Sequence, residues 1–172
     1  MIPFTEWLSQ TPFSLAIQTH LWVIPAVQSI HIVGIGVVVG SVFMIDLRVL
    51  GWAGRDQSLL ETIERFGPWL SWVLCVLLVT GALMVVGEPA RELLAFSFWF
   101  KMCLVATGTL VATVFQMAVR RSEPQWEESV VKRRATKWLA VLTLLIWVGI
   151  IILGRLIAYD HVWGAWSHAP KA

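Results

Sequence analysis

A chain of 172 residues that is 58% hydrophobic, 14% charged and has a mean hydropathy of +0.74 is too apolar for an ordinary water-soluble domain. It fits one integral membrane domain over residues 1–172, and no polar segment is long enough to hold a soluble catalytic domain. The net charge of +2 is a weak signal in total; its distribution along the chain is not.

A hydrocarbon core of about 30 Å needs about 20 apolar residues at about 1.5 Å of rise each. Four stretches qualify, at about 26–47, 68–87, 96–118 and 138–158. The expected fold is all-α, a four-helix integral membrane bundle with an N-terminal interfacial helix. That helix is read from 13–24, "FSLAIQTHLWVI", which is apolar and then meets Pro25; the alternative is a kinked forward extension of the first span. The start lacks both a positively charged run and a small-residue cleavage site, so it does not read as a signal peptide.

The first span, "QSIHIVGIGVVVGSVFMIDLRVLG", carries His31 inside its apolar run. Ionisable groups in lipid are costly enough to mark function by default. Gly34 flanks the His31 face at i+3 and leaves room for a planar macrocycle. Gly36 and Gly40 form a GxxxG on roughly the opposite face, suited to another helix of this chain or of a second copy in a homo-oligomer. In the second span, Met84 lies about 24 Å above Pro68, either as packing or as an iron ligand. Glu88 follows at the end of that span, placed to balance Arg91 or Arg155. Cys75 and Cys103 match no metal spacing and read as small hydrophobes.

Arg48, Arg55 and Arg65 lie between spans one and two, and Arg120, Arg121, Lys132, Arg133, Arg134 and Lys137 between spans three and four. These loops share one side, so the positive-inside rule predicts a multi-pass protein of a bacterial inner membrane with both termini periplasmic. The basic stretch "RRSEPQWEESVVKRR" reads as orientation charge against the lipid bilayer, with no nucleic acid as partner. Trp22, Trp52, Trp69, Trp99, Trp138 and Trp163 fall near the span borders, as interfacial anchors do; Trp72 and Trp147 lie deeper.

Counted at 1.5 Å per residue from the basic side, His31 stands about 22 Å up, Lys101 about 28 Å and Arg155 about 27 Å. Two cations then share a level near the outer border, with the imidazole about one turn below. That layering suits haem b, its iron held by His31 and its propionates reaching Lys101 or Arg155. Snorkelling cations and a helix-to-helix histidine hydrogen bond are the plainer alternatives. His31 is the single histidine in the spans, which argues for one haem rather than two. His20, His161 and His168 lie toward the outer surface, where they suit copper or a second metal site, with Asp160 placed to orient His161.

The span "SIHIVGIGVVVGSVFMIDLRVLG" resembles the first helix of the four-helix bacterial protoporphyrinogen oxidases and of copper-resistance D-like membrane domains. "FWFKMCLVATGTLVATVFQMAVRR" is similar to the oxidases' third helix, which a lysine opens. The whole looks closest to an uncharacterised bacterial family with "H-x-x-G" and "D-L-R-x-L-G" patterns. The resemblance implies that His31 and Lys101 take the places of the histidine and lysine those oxidases require, and that the protein binds haem b. The chain has "SFWF" where the oxidases carry a histidine before the lysine, and "KRRATKW" where they carry "N-E-x-P", so the haem pocket carries over more readily than the porphyrinogen chemistry. The expected function is haem b binding with electron transfer or a haem-linked redox step near the outer leaflet, to a redox partner protein or quinone. The rivals are a porphyrinogen or quinone oxidoreductase, a copper-handling protein and a structural subunit of a membrane complex.

Overall fold

The computed structural model describes residues 1–54, 56–121 and 133–157. Its helices are α1 (Ile2–Ser9), α2 (Pro12–Thr19), α3 (Val23–Leu50), α4 (Leu59–Gly87), α5 (Pro89–Leu93), α6 (Phe96–Arg121) and α7 (Arg134–Ile157). Four of them, α3, α4, α6 and α7, are long and apolar enough to cross a membrane. The protein is an all-α, multi-pass membrane bundle. Much of its apolar surface points outward, as with Trp72 at 75% exposure and Leu78 at 72%, which only a lipid solvent tolerates on this scale.

The helices outrun the predicted spans where packing carries them past the hydrocarbon. Pro68 marks the expected start of the second span, yet α4 begins at Leu59 and runs through it. Ser58 and Glu61 form a capping box: the Ser58 hydroxyl accepts from the Glu61 N–H at 3.0 Å, and the Glu61 carboxylate accepts from the Ser58 N–H at 2.8 Å. Leu59 and Ile63, one turn apart, are both fully buried against Ile45 and Val49 of α3 and Ala140 of α7. This buried extension holds the first two turns despite Glu61, Glu64 and Arg65. At the other end of that loop, Gly51 closes α3 in the left-handed region at φ +74, where its N–H donates to the Arg48 carbonyl. The Arg48 Nε–H donates to the Gln57 carbonyl at 2.7 Å and ties the loop back on itself.

Ahead of the first span the chain makes two short helices instead of one. The break before α3 comes at residues 20–22 rather than at Pro25, because Pro25 sits in the first turn of α3, where its missing N–H has no helical acceptor to serve. The Ser14 hydroxyl of α2 donates to the Val86 carbonyl of α4 at 2.6 Å and accepts from the Gln18 amide at 2.8 Å. Gly87 makes the fit possible: a Cβ there would stand 2.5 Å from Ile24 Cδ1 and 3.0 Å from Ile17 Cγ2. α1 packs on α5, so the short helices gather at one end of the bundle, here the α5 end; the opposite end, with the loops rich in Arg and Lys, is the basic end.

α3 packs most closely on α4, α6 on α7, and α3 also meets α7, while α4 and α6 touch little. The middle layer is Val38 and Val42 of α3, Leu70 of α4, and Trp147 and Ile150 of α7. Of the two deep tryptophans, Trp147 is therefore core and Trp72 faces outward. In lipid such packing rests on close contact and on polar pairs, since apolar side chains gain little by leaving the hydrocarbon.

Candidate functional site at the α5 end

His31 lies two turns into α3 and meets α4, where its Nδ1 stands 2.7 Å from the Thr80 hydroxyl oxygen. That hydroxyl donates back to the Val76 carbonyl one turn earlier, at 2.8 Å. With its hydrogen on the Val76 carbonyl, the Thr80 oxygen is free to accept from a His31 Nδ1–H. A neutral imidazole carries one ring proton. When the Thr80 hydrogen goes to Val76, the ring proton sits on Nδ1 and the lone pair on Nε2, the arrangement in which a histidine binds a metal. The next residue, Gly81, lies under the ring, and a Cβ there would stand 3.6 Å from His31 Cε1. Met84 follows at three and four residues from Gly81 and Thr80, on the same face of α4 and one turn nearer α5.

Gly34 does leave room on its face, and α4 takes it: a Cβ on Gly34 would stand 2.9 Å from Leu77 Cδ2 and 3.3 Å from Val73 Cγ1. Gly36 and Gly40 have no neighbour within 4 Å of a built Cβ, so their face is open among the described residues. The GxxxG does not serve α3–α4 packing.

Lys101, in the second turn of α6, is half-buried. Its ammonium lies 5.6 Å from the centre of the Phe98 ring and its stem runs beside Gly154, where a Cβ would be 3.8 Å from Lys101 Cδ. That contact sets Lys101 beside the residue preceding Arg155, as the shared level requires, while the Arg155 side chain is exposed. The Lys101 charge is within electrostatic reach of His31 and of Glu92. Glu92, on α5, is 4% exposed. Burial pushes its carboxyl above its ordinary value and Glu88 adds to the rise, while Lys101 and then Arg91 pull it down. Glu88 pairs with Arg91, one turn on.

The other metal-binding candidates do not join this cluster. His20 is exposed at the end of α2, its Nδ1–H donating to the Ala16 carbonyl at 2.9 Å. His161 and His168 lie outside the described residues. Among those described, no three His, Cys, Asp or Glu residues converge, and Cys75 and Cys103 are free and exposed, as small hydrophobes facing lipid would be.

The family of unknown function DUF6644 matches residues 4–160. The chain belongs to that family. The match to DUF6644 takes in His31, Thr80, Glu92, Lys101 and Arg155 and stops just short of His161 and His168. No curated protein and no solved structure matches the chain.

Sequence reasoning names His31, Lys101 and Arg155 from charge and depth and does not name Thr80 or Glu92, which the structure places beside them. A threonine in an apolar span looks inert until the facing helix is known, although the small pair Thr80-Gly81 at the depth of His31 is a usable signal. Glu92 falls in a short interhelical stretch that reads as exposed.

Proposed function

We propose that this is a haem b-binding protein of a bacterial inner membrane, with both termini periplasmic and His31 Nε2 as axial ligand. The observation that carries the reading is the Thr80 hydroxyl, which holds the His31 proton on Nδ1 and keeps Nε2 available inside an apolar bundle. The donor set fits the group. Because Leu77 and Val73 fill the seam at Gly34, a macrocycle would have to lie on the side of His31 away from that seam. Lys101 and Arg155 would meet the propionates, and Lys101 or Met84 would supply any second ligand. Haem bound there supplies one-electron exchange, with a redox partner protein or quinone at the periplasmic border. The protein's part would be to orient the imidazole through Thr80 and to hold cations at the level of the propionates.

The test is an oxidised and dithionite-reduced visible spectrum of the detergent-purified chain, with a pyridine haemochrome assay, beside His31→Ala. A haem b spectrum lost in the variant is expected. A wild type without a Soret band after haem-replete expression overturns the reading. The open Gly36 and Gly40 face is where a second copy would pack. Gly36→Leu should then shift the detergent-solubilised protein toward the monomer, and an unchanged oligomeric state removes that part of the proposal.

A further inference from the structure

A second polar site lies toward the basic end and owes nothing to the His31 reading. Asp46 of α3 stands four residues from the end of its helix, about 6 Å along the axis. Yet it faces the bundle and is 6% exposed, with Oδ2 fully enclosed and without a hydrogen-bond partner. It lines a cavity of about 20 Å³ between the four long helices. The other polar groups on that cavity are Thr143 of α7 and Gln116 of α6; the remaining walls are apolar, among them Leu70, Phe115 and Ala140.

The chemistry of these groups leaves Asp46 Oδ2 unmet. The Thr143 hydroxyl donates to the Leu139 carbonyl at 2.8 Å, so toward the cavity it offers only lone pairs. Gln116 turns its Oε1 onto α4 at Gly67, where a Cβ would stand 2.8 Å away. A carboxyl and a hydroxyl oxygen thus face the space, and although the Gln116 amide carries N–H donors, none of them reaches Asp46 Oδ2. The charges around it do not fill that need. α4 presents Leu70 and Gly67, α7 presents Thr143 and Ala140, and α6 brings one cation, the Arg120 guanidinium, 3.3 Å from the same built Cβ of Gly67. Asp46 feels no charged partner among the described residues. An unpaired carboxylate enclosed in a lipid-embedded bundle is too costly to persist, and the cavity has the volume and the polar contacts of a one-water site.

We propose that Asp46 is an intramembrane proton-binding site, its carboxyl holding a proton that it exchanges with a water seated between Asp46, Thr143 and Gln116. On release the O–H bond of the carboxyl breaks, the proton passes to that water's oxygen, and the carboxylate's electron pair stays on Asp46. The basic end is the nearer one, and Gln116 and Arg120 of α6 lie between the cavity and that end, so the proton is drawn from that side.

Dicyclohexylcarbodiimide, which attacks protonated carboxyls in apolar surroundings, tests this on the full-length protein in detergent, with the modified residue mapped by peptide mass spectrometry. Asp46 should be labelled near neutral pH, the labelling should fall about tenfold per pH unit once the carboxyl ionises, and excess sodium or lithium chloride should leave it unchanged. Labelling at Glu92 is resolved by the peptide map and does not bear on the result. Thr143→Val, which keeps the carboxyl and removes one contact to the water, should change the pH at which labelling is half-lost. Two results overturn the proposal: no label on Asp46 at any pH from mildly acid to alkaline, or protection by sodium or lithium at constant pH, which makes this a metal-cation site instead.

Discussion

At the α5 end a half-buried imidazole finds its partner on the next helix, while at the basic end a buried carboxyl finds acceptors and keeps one oxygen unmet. Both groups sit on α3, fifteen residues apart, and both face inward. The difference is donor balance. Around His31, Thr80 can accept because its own hydrogen goes to Val76; around Asp46, Thr143 behaves in the same way toward Leu139, and what helps an N–H donor leaves a carboxylate unserved. One habit of membrane helices, the threonine that bonds back to its own preceding turn, therefore leaves an acceptor for the imidazole in one place and no donor for the carboxyl in the other.

The sharpest way to break this comparison is to exchange the losses. His31→Ala should abolish the haem b spectrum, whereas Asp46→Asn should keep it at wild-type intensity, read by pyridine haemochrome per mole of protein. Loss in both variants would mean that the ends are not separate. A smaller effect is expected from Thr80→Val, which leaves the His31 Nδ1–H without an acceptor. Haem affinity should fall by about 10- to 100-fold, and Thr80→Ser, which keeps the oxygen, should restore most of it; equal affinities for the two variants would remove Thr80 from its assigned part.

Gly34→Ile tests the seam that Leu77 fills. The added bulk overpacks α3 against α4 and should destabilise the bundle by about 1–3 kcal/mol, seen as a lower unfolding midpoint in detergent; Leu78→Ile, on the exposed face of α4, should leave that midpoint nearly unchanged. The smallest effect concerns Glu92. Because burial raises its carboxyl value in the folded protein, the folded state favours the neutral form. Stability is fullest below the ordinary carboxylate range and is lost as pH climbs through the raised value. Glu92→Gln should flatten that decline in a series of melting curves across pH; an unchanged slope would show that the Glu92 carboxyl is not strained by its burial.

Much of the fold is legible along the chain. Four apolar runs separated by Arg- and Lys-bearing loops dictate four crossings, and Lys101 and Arg155 fall at one level because the helix rise is fixed. The site is legible only in part. His31 stands out as an ionisable group in an apolar run, but Thr80 is one of several threonines in the spans, and only its place opposite His31 separates it from Thr107 or Thr113, which bond back to their own helix on exposed faces. Asp46 looks like the polar end of a span, because hydropathy records where a run of apolar residues stops and not which way the next side chain turns.

The sequence by itself determined the solvent, the number of crossings and the two levels of charge, since hydrocarbon thickness and backbone hydrogen bonding leave helices of about 20 apolar residues as the way across. Tertiary structure alone decided that α4 starts nine residues before Pro68, that Leu77 occupies the room beside Gly34, that Thr80 meets His31 and that Asp46 is enclosed. The reason is that α3 is apolar on nearly all sides. In lipid an apolar side chain is nearly as well placed outward as inward, so hydrophobic pattern does not mark the inner face, and the facing of each helix is settled by the fit of its neighbours.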